Sequence, residues 1–275
     1  MTPEQSVPAG IDVSKPNVAR VYDALLGGKD NFAADREFIA MAMAQTTPDA
    51  PLAVRANRAF LRRVVRFLVG QAGIDQLLDI GSGLPTQGNV SEVAQEVNPR
   101  AKVVYVDNDP VVCLHSKALL VDSTTTDIIT GDIRRPEEIL RDPTVRGLID
   151  FGRPVGLLLL AILHHIADSE DPAGIAAVLR DAMPSGSYLA ISSFRMPGPE
   201  LPEIRERTIR VEKVLAENLG TGRWREDEEI LRWFGDWELL DPGLVPLAEW
   251  RPFVQGPARK NDTYYTLSGG VARKP

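Results

Sequence analysis

A turn built from Gly81, Ser82 and Gly83 is the segment of this sequence with the clearest capacity for chemistry. It follows a short apolar run at residues 77–80, which is typical of a buried parallel strand, and it precedes a segment with helical spacing. Backbone N–H groups in such a turn can bind a ligand, and glycine lets that ligand approach closely. Asp79, the polar residue of the run, can brace the turn or accept from a ligand cation. A tight turn that binds nothing is the alternative interpretation.

Two further acidic residues follow predicted strands and would lie at the same edge of the sheet. Asp107, followed by Asn108, ends the second predicted strand, where a carboxylate can bind ribose hydroxyls. Asp132, followed by Ile133, ends the third. A carboxylate there can accept from an adenine amino group while the apolar neighbour covers the ring. The alternatives are a loop-end aspartate at position 107 and a turn cap at position 132.

His164 and His165 follow the fourth predicted strand, residues 155–161, so two of the three histidines lie where parallel sheets bind ligands. A histidine with an ordinary pKa of about 6.5 can remove a proton from a hydroxyl acceptor. Alternatively, one ring packs under the ligand and the other binds a loop. Because no obvious carboxylate cluster accompanies the pair, we predict no metal site. We also expect Ala161, which ends this strand, to contact the ligand.

A second glycine turn, GGKDN at residues 27–31, lies near the N-terminus. It separates helices predicted at residues 16–26 and 33–45, and a long helix predicted at residues 52–69 follows. The spacing favours a helix cap and a polar turn. A segment that folds over the mouth of the ligand pocket is the functional alternative.

The alternation of strands and helices from residue 77 onwards predicts an α/β fold, a Rossmann-like three-layer sandwich with a mostly parallel, seven-stranded sheet. Two final strands without a crossover helix, at residues 245–250 and 263–272, predict an antiparallel end to this sheet. We divide the chain into an N-terminal helical cap at residues 1–70 and a Rossmann-like domain at residues 71–275, which carries a helical insertion at about 195–236.

The composition is that of an ordinary globular protein: 275 residues, 44% hydrophobic and 25% charged, with a net charge of −7. This negative charge disfavours a protein that binds nucleic acid through phosphates. The longest apolar run, residues 155–163, is too short to span a membrane, and the polar N-terminus does not resemble a signal peptide. The single cysteine, Cys113, fits a reducing compartment, so we expect a cytoplasmic protein. The spacing of one basic cluster predicts a solvated helix face: Arg55, Arg58, Arg62, Arg63 and Arg66.

Four motifs, LLDIGSG, VVYVDND, TGDI and LLLLAILHHIAD, together resemble those of class I S-adenosylmethionine-dependent methyltransferases. Thr86 stands where a dinucleotide-binding G-x-G-x-x-G motif requires its third glycine, which disfavours a nicotinamide cofactor. The chain also resembles an actinobacterial family of such methyltransferases, long catalogued as a domain of unknown function. That resemblance covers almost the whole chain and rests on ARVYDALLGGKDNFAADRE, DIGSGLPT, HHIAD and WELLDPGLVPLAEWRP.

The resemblance implies roles for individual residues. Tyr22 and the turn of residues 27–31, with Gly28 and Lys29 as the predicted contacts, would belong to the site. The remaining implied contacts are with the cofactor: Gly81 and Gly83 with its methionine part and Asp79 nearby, Asp107 with the ribose, and Asn108, Asp132 and Ile133 with the adenine.

We therefore predict a methyltransferase that uses S-adenosylmethionine and acts on an unidentified small molecule, with His164 and His165 as candidate bases. Methyl transfer from a sulfonium mainly requires that the acceptor is held in line with the S–CH₃ bond. One alternative is a non-catalytic sensor that binds S-adenosylmethionine or its demethylated product and signals through a partner. A nicotinamide oxidoreductase is the other. The acceptor depends on residues 195–225 and on the N-terminal helices, and neither it nor the oligomeric state follows from the sequence.

Overall fold

The computed structural model describes residues 12–46, 49–85, 88–119, 123–254, 256 and 258–275. Within these ranges, eight strands form one sheet with helices on both faces. The strands are β1 (Gln76–Ile80), β2 (Lys102–Asp107), β3 (Thr126–Thr130), β4 (Gly156–Leu160), β5 (Tyr188–Phe194), β6 (Glu238–Leu239), β7 (Val245–Pro246) and β8 (Leu267–Arg273). The helices are α1 (Val18–Leu26), α2 (Ala33–Gln45), α3 (Ala50–Gly70), α4 (Val90–Val97), α5 (Pro110–Leu119), α6 (Pro136–Arg141), α7 (Pro143–Leu148), α8 (Pro172–Asp181), α9 (Pro202–Leu219), α10 (Asp227–Arg232) and α11 (Asp262–Thr266).

The strand order is β3-β2-β1-β4-β5-β8-β6, and β7 also pairs with β8. Strands β1 to β5 are parallel, whereas β8 runs antiparallel to β5, β6 and β7. This arrangement confirms the predicted mixed α/β fold with an antiparallel end. The chain order reverses between β1 and β4, and open α/β sheets bind their ligands at the carboxyl ends of strands at such a reversal.

The C-terminal strands differ from the prediction, and the described sheet has eight strands rather than seven. The strand expected at residues 245–250 is only two residues long, because Pro246 has no N–H to donate and Leu247–Glu249 form a 3₁₀ turn. The strand expected at residues 263–272 begins only at Leu267. Residues before it form α11, since the side chain of Asn261 caps that helix by accepting from the Tyr264 N–H.

Helix α3 packs against one face of the sheet through side chains that are fully buried, including Phe60, Val64 and Leu68. Helices α6, α7 and α8 contribute to the apolar core on the other face. Helix α3 therefore belongs to the layers of the sheet, although the sequence grouped it with the N-terminal cap. No helix within the described ranges is long and apolar enough to cross a membrane.

The prediction of a solvated arginine face on α3 is wrong at two of its five positions. Arg63 is only 8% exposed and donates to the carbonyl oxygens of Trp250, at 2.7 Å, and Leu247. Arg58 lines the central cavity described below. A single helix face thus contains both solvated and buried guanidinium groups, because distant segments cover part of it.

Helices α1 and α2 are joined by a buried ion pair. The Arg20 Nε lies 3.0 Å from an Asp35 carboxylate oxygen, and both side chains are almost fully buried. The same carboxylate accepts from the backbone N–H groups of Asn17 and Phe32, at 2.9 and 2.8 Å. Asn17 caps the start of α1 and Phe32 caps the start of α2, so the Asp35 carboxylate ties the two helices together.

Candidate active site

A cavity of about 500 Å³ opens at the carboxyl ends of β1, β2, β4 and β5, and α1, α2, α3, α9 and α11 complete its walls. This volume is in the range of small-molecule sites. The structure brings most of the predicted site residues to this cavity: Tyr22, Asp79, Gly81, Ser82, Gly83, Asp107, Asn108, Ile133, Ala161, His164 and His165.

The glycine turn after β1 is fixed to the end of β2. The N–H groups of Gly81 and Ser82 donate to the Val106 carbonyl at 2.8 and 3.3 Å. Gly81 has a φ of +77°, and a Cβ there would lie 2.7 Å from the Cδ1 of Ile162. Gly83 has a φ of +67° but faces open space. Glycine is thus required at position 81 for both backbone conformation and packing.

Asp107 accepts hydrogen bonds through both carboxylate oxygens. The Gly83 N–H donates to Oδ2 at 2.8 Å, and the Asp109 N–H donates to Oδ1 at 3.0 Å. Burial raises the pKa of Asp107, although these two backbone hydrogen bonds oppose the rise. The carboxylate therefore holds the glycine turn in place besides lining the cavity. Thr86, the residue at the third position of the dinucleotide motif, lies outside the described residues.

Asp79 lies at the end of β1, beside the glycine turn, and is 5% exposed. Burial raises the pKa of this carboxyl to about 7, Arg58 opposes that rise, and the neighbouring Asp107 adds to it. None of the hydrogen bonds among described residues reaches the Asp79 carboxyl oxygens. A buried carboxyl group without such partners favours a polar or cationic ligand at this point.

His164 is 1% exposed and held on several sides. Its Nδ1 accepts from the Phe194 N–H at 3.2 Å, so the proton of the neutral ring lies on Nε2. The Phe194 ring stacks on it at a centroid distance of 3.7 Å, and Trp224 stacks on Phe194 at 4.0 Å. Burial lowers the pKa of His164 well below its usual value, with His165 and Arg225 adding to the effect. His164 is therefore a packed, buried ring, as in the alternative in which one histidine of the pair packs rather than acting as a base.

His165 has a different environment. Its Nδ1 lies 3.3 Å from the Thr221 Oγ1, and that hydroxyl donates its proton to the His165 carbonyl oxygen at 2.8 Å. The Thr221 oxygen is therefore the acceptor for Nδ1–H, and the lone pair of the neutral ring lies on Nε2. Burial, and secondly the charge of Arg134, lowers the pKa of His165 to about 4. The ring is neutral at physiological pH and can accept a proton.

The loop that contains both histidines is held by Arg225, a residue that the sequence reasoning missed. Its guanidinium is 2% exposed and donates to the carbonyl oxygens of Leu163 and Ile166, at 3.3 and 2.7 Å. It also donates to Asp168 at 2.8 Å. Asp168 belongs to the HHIAD motif, but its partner is an arginine far along the chain. The local spacing of residues could not predict this pairing.

A chain of hydrogen bonds connects α1 to the end of β4. The Asn57 Nδ2 donates to the Tyr22 hydroxyl at 3.0 Å, and the Ser192 hydroxyl donates to the Asn57 Oδ1 at 2.6 Å. The Ala161 N–H in turn donates to the Ser192 Oγ at 2.9 Å. Ala161 has a φ of +56°, which is unusual for a residue with a Cβ. The sequence did not predict roles for Asn57 and Ser192 either. An isolated polar residue in an apolar helix or strand does not show which residue it will bind.

Three predicted site residues do not line the cavity: Gly28, Lys29 and Asp132. The turn of residues 27–31 instead closes around the buried carboxylate of Asp23, which accepts from the Asp30 N–H and the Asn31 Nδ2 at 3.0 and 2.8 Å. A Cβ at Gly28 would lie 1.9 Å from that carboxylate, and Lys29 is exposed. This geometry corresponds to the polar turn that spacing alone favoured.

Asp132 caps a turn, which is the alternative to adenine binding that the sequence left open for this residue. Its Oδ1 accepts from the Arg134 N–H at 3.0 Å, and the Arg134 guanidinium lies 3.2 Å from the same oxygen. Its neighbours Gly131 and Ile133 line the cavity, whereas the Asp132 side chain points to Arg134. Within the described ranges, no group of three His, Cys, Asp or Glu residues could hold a metal ion.

Comparisons with known proteins agree with this geometry. A family model described as S-adenosyl methyltransferase matches residues 4–275. The chain is similar to a methyltransferase from Thermobifida fusca YX, with 45% identity over 98% of this chain and 99% of that chain and a TM-score of 0.91. It is also similar to a DUF574 family protein from Streptomyces avermitilis MA-4680, with 37% identity over 96% and 99% of the two chains and a TM-score of 0.88.

A SAM-dependent methyltransferase from Anabaena variabilis ATCC 29413 shares the fold. It is 14% identical, the match covers 96% of this chain and 99% of that chain, and the TM-score is 0.51. No curated protein matches this chain.

Proposed function

Because this chain belongs to the S-adenosyl methyltransferase family, we propose that its central cavity binds S-adenosylmethionine together with a small, mainly apolar methyl acceptor. The protein is an S-adenosylmethionine-dependent methyltransferase. Nothing among these relatives supports the alternative of a non-catalytic sensor. The observation that supports the proposal is that one continuous cavity includes both the glycine turn after β1 and an apolar wall from α2 and α9.

The residues at the strand ends fit the cofactor. The hydroxyl of Ser82 is buried and lacks a hydrogen-bond partner among the described residues. The Asp79 carboxyl group lines the same cavity, and its residue is 5% exposed. Gly83 leaves open space where a side chain would stand. In our proposal, Gly81, Ser82 and Gly83 hold the methionine part, and Asp107 and Asn108 the ribose. The adenine lies against Ile133. When bound, S-adenosylmethionine supplies an activated methyl group on a positively charged sulfur.

The apolar wall indicates the class of acceptor. Arg207 and Asp262 are charged residues of this wall, and they bind each other through two hydrogen bonds of 2.7 and 2.9 Å. Their charges therefore offset each other, which leaves the hydrophobic neighbours to contact the acceptor. Those neighbours are Phe38, Ile39, Ala42 and Met43 of α2, Val211, Leu215 and Leu219 of α9, and Trp224.

His165 is the proposed general base for a hydroxyl acceptor. Its Nδ1–H is directed to Thr221, so Nε2 can take the acceptor proton as the oxygen attacks. The low pKa keeps the ring neutral but makes it a weak base. Such a base suits an acceptor whose own hydroxyl is acidic, such as a phenol, and an acceptor amine that is already neutral requires none. We propose that His164 positions this loop through its contacts with Phe194.

Helices α1 and α2 are the proposed lid. They cover the cavity with Val21, Tyr22 and Phe38, and their shared ion pair keeps them together. A closed lid excludes water from the methyl group and holds the acceptor in place. We place the reaction in the cytoplasm, because Cys113 is buried as a free thiol and such thiols persist in a reducing compartment.

The proposal is tested with purified protein, S-adenosylmethionine labelled in its methyl group, and a panel of small phenols, apolar alcohols and amines. Mass spectrometry detects both the labelled product and S-adenosylhomocysteine, and an assay without acceptor measures background hydrolysis. We expect transfer to apolar phenols. A matched set of the same phenols carrying a sulfonate group provides the contrast. Methyl transfer to the sulfonated phenols alone would contradict an apolar acceptor site. It would still show that the protein is an active methyltransferase.

A further inference from the structure

Thr221 lies just after α9 and is the residue that holds the His165 ring. Its Oγ1 is 3.3 Å from the His165 Nδ1, and it donates its only proton to the His165 carbonyl oxygen at 2.8 Å. A proton on Nδ1 therefore has an oxygen that accepts it, whereas an unprotonated Nδ1 would face an oxygen with no proton to offer. The hydroxyl of Thr221 thus favours one of the two neutral tautomers of His165.

The neighbouring ring of His164 has the opposite arrangement. Its Nδ1 accepts from the Phe194 N–H at 3.2 Å, so its proton lies on Nε2, and the centroids of the two imidazole rings are 4.3 Å apart. The nitrogen that carries the proton in a neutral imidazole is set by the hydrogen bond that the other nitrogen makes. Two adjacent histidines therefore have opposite tautomers, and the lone pair on Nε2 belongs to His165.

The backbone that follows Thr221 is held in place by two further contacts. The Arg223 N–H donates to the His164 carbonyl oxygen at 2.8 Å. Gly222 has a φ of +100°, and the Leu215 side chain lies against it, so that a Cβ at Gly222 would be 2.9 Å from the Leu215 Cδ2. Leu215 also lines the apolar wall of the cavity. The wall that is proposed to contact the acceptor and the loop that contains both histidines therefore meet at this segment.

We propose that Thr221 is a positioning residue for methyl transfer: it holds His165 with the proton on Nδ1 and the Nε2 lone pair available to the acceptor hydroxyl, and Leu215 supports it through Gly222. This inference rests on the proposed role of His165 as the general base. In that step Nε2 takes the hydroxyl proton while the acceptor oxygen bonds to the methyl carbon, and the electron pair of the broken S–CH₃ bond stays on sulfur. The resulting imidazolium keeps its Nδ1–H on the Thr221 oxygen. The other neutral tautomer has no lone pair on Nε2 and cannot take the proton there.

NMR of the full chain labelled with ¹⁵N-histidine tests this assignment without turnover. Long-range ¹H–¹⁵N spectra distinguish protonated from unprotonated ring nitrogens, and the spectrum of His165→Gln identifies the signals of His165. At pH 7 both rings are neutral, because burial lowers the pKa of each. We expect the proton of His165 on Nδ1 and the proton of His164 on Nε2. A proton on Nε2 of His165 in the unmodified protein would overturn the assignment.

Removal of the Thr221 hydroxyl should release the tautomer. In Thr221→Val, which keeps the shape of the side chain, we expect the proton of His165 to move largely to Nε2 while the His164 signals stay unchanged. With an apolar phenol of the panel above and saturating S-adenosylmethionine, kcat should fall by about ten- to hundredfold, and KM for the phenol should change by less than about threefold. Thr221→Ser keeps the hydroxyl and should recover most of the rate. Thr144→Val, on α7 and outside the cavity lining, is the matched control.

Leu215→Ala tests the support through Gly222. Loss of that contact should leave His165 as a mixture of tautomers in the protein without acceptor, an effect that a residue in contact with the acceptor alone would not have. Val211→Ala truncates the same wall one helical turn earlier and should leave the tautomer unchanged. A single Nδ1 tautomer in Leu215→Ala would show that Leu215 does not support Thr221.

Melting curves show whether each variant is folded, and the spectrum of the unmodified protein tests the tautomer even if Thr221→Val does not fold. A proton that stays on Nδ1 of His165 in folded Thr221→Val would overturn the role of Thr221. A tautomer that shifts without a fall in kcat would show instead that His165 is not the base. That result would overturn the proposed general base and the catalytic part of this inference, while the tautomer assignment itself would be confirmed.

Discussion

The Ser192 hydroxyl on β5 and the Asn57 side chain on α3 are joined by a 2.6 Å hydrogen bond. Asn57 also donates to Tyr22 on α1, and Ser192 accepts from Ala161 at the end of β4. These two residues therefore connect the proposed lid to the strand end where the cofactor is expected. A polar network of this kind in a buried setting is strong only when each member is satisfied.

Asn57→Ala tests that network. The substitution leaves the Tyr22 and Ser192 hydroxyls each without one partner, so we expect a loss of about 1–3 kcal/mol in the free energy of unfolding. Urea denaturation measures it. Tyr22→Phe removes only one end of the network and should lower the free energy of unfolding by a smaller amount. Equal stability of Asn57→Ala and the unmodified protein would contradict a structural role for the network.

Asp79→Asn should raise the stability of the ligand-free protein at high pH. The pKa of this carboxyl is about 7 in the fold against 3.8 unfolded, so the folded state holds the proton more tightly. Its contribution to stability is therefore complete below about pH 4 and is lost as the pH rises through about 7. The amide of the Asp79→Asn variant does not ionise, so the variant does not lose stability in this way as the pH rises. We expect the variant to melt a few degrees higher than the unmodified protein at pH 8, with a smaller difference at pH 5.

Substitution of the two histidines should separate catalysis from folding. His165→Gln should lower kcat for a phenolic acceptor by about a hundredfold, within the range for loss of a general base, and change the melting temperature little. His164→Gln removes the stacking on Phe194 and should lower the melting temperature by several degrees. Initial rates and differential scanning calorimetry distinguish the two. A full rate in His165→Gln would exclude it as the base.

The acid side of the pH–rate profile provides a second check on His165. Because burial lowers its pKa to about 4, the ring stays neutral from pH 5 to 8. The value of kcat for a phenolic acceptor should therefore not fall near pH 6.5, where an ordinary histidine becomes protonated. The profile is recorded at saturating S-adenosylmethionine, so that changes in cofactor affinity with pH do not enter, and it is compared with the profile of His165→Gln. A fall in kcat centred near pH 6.5 that is absent in His165→Gln would contradict this environment.

Gly81→Ala and Gly83→Ala should differ in severity. Both positions have a positive φ, which costs an alanine about 1 kcal/mol or more. At Gly81 the new Cβ would also lie 2.7 Å from Ile162, whereas at Gly83 it would meet open space. We expect Gly81→Ala to be the less stable variant in urea. Adding Ile162→Ala removes the Cγ1 and Cδ1 contacts but leaves a Cβ 2.9 Å away, so it should relieve part of the contact defect and none of the backbone defect. No improvement would contradict the clash.

Much of the site could be predicted because strand ends and glycine turns are local features. The runs before Gly81, Asp107 and Ile133 have the apolar character of buried strands, and parallel strands bring their carboxyl ends to one edge. The position of Arg58 could not be predicted, since the side of α3 that α1 covers depends on contacts between distant segments. Arg63 shows the same limit, because the carbonyl groups that it binds are 184 and 187 positions away in the chain.

The raised pKa of Asp79 has a calorimetric consequence. Near pH 7 part of the Asp79 carboxyl population is protonated, and a positively charged ligand bound beside it would drive it to the ionised form. Binding of such a ligand would therefore release a fraction of a proton into the medium. The observed binding enthalpy at pH 7 would then depend on the ionisation enthalpy of the buffer, and Asp79→Asn would remove that dependence.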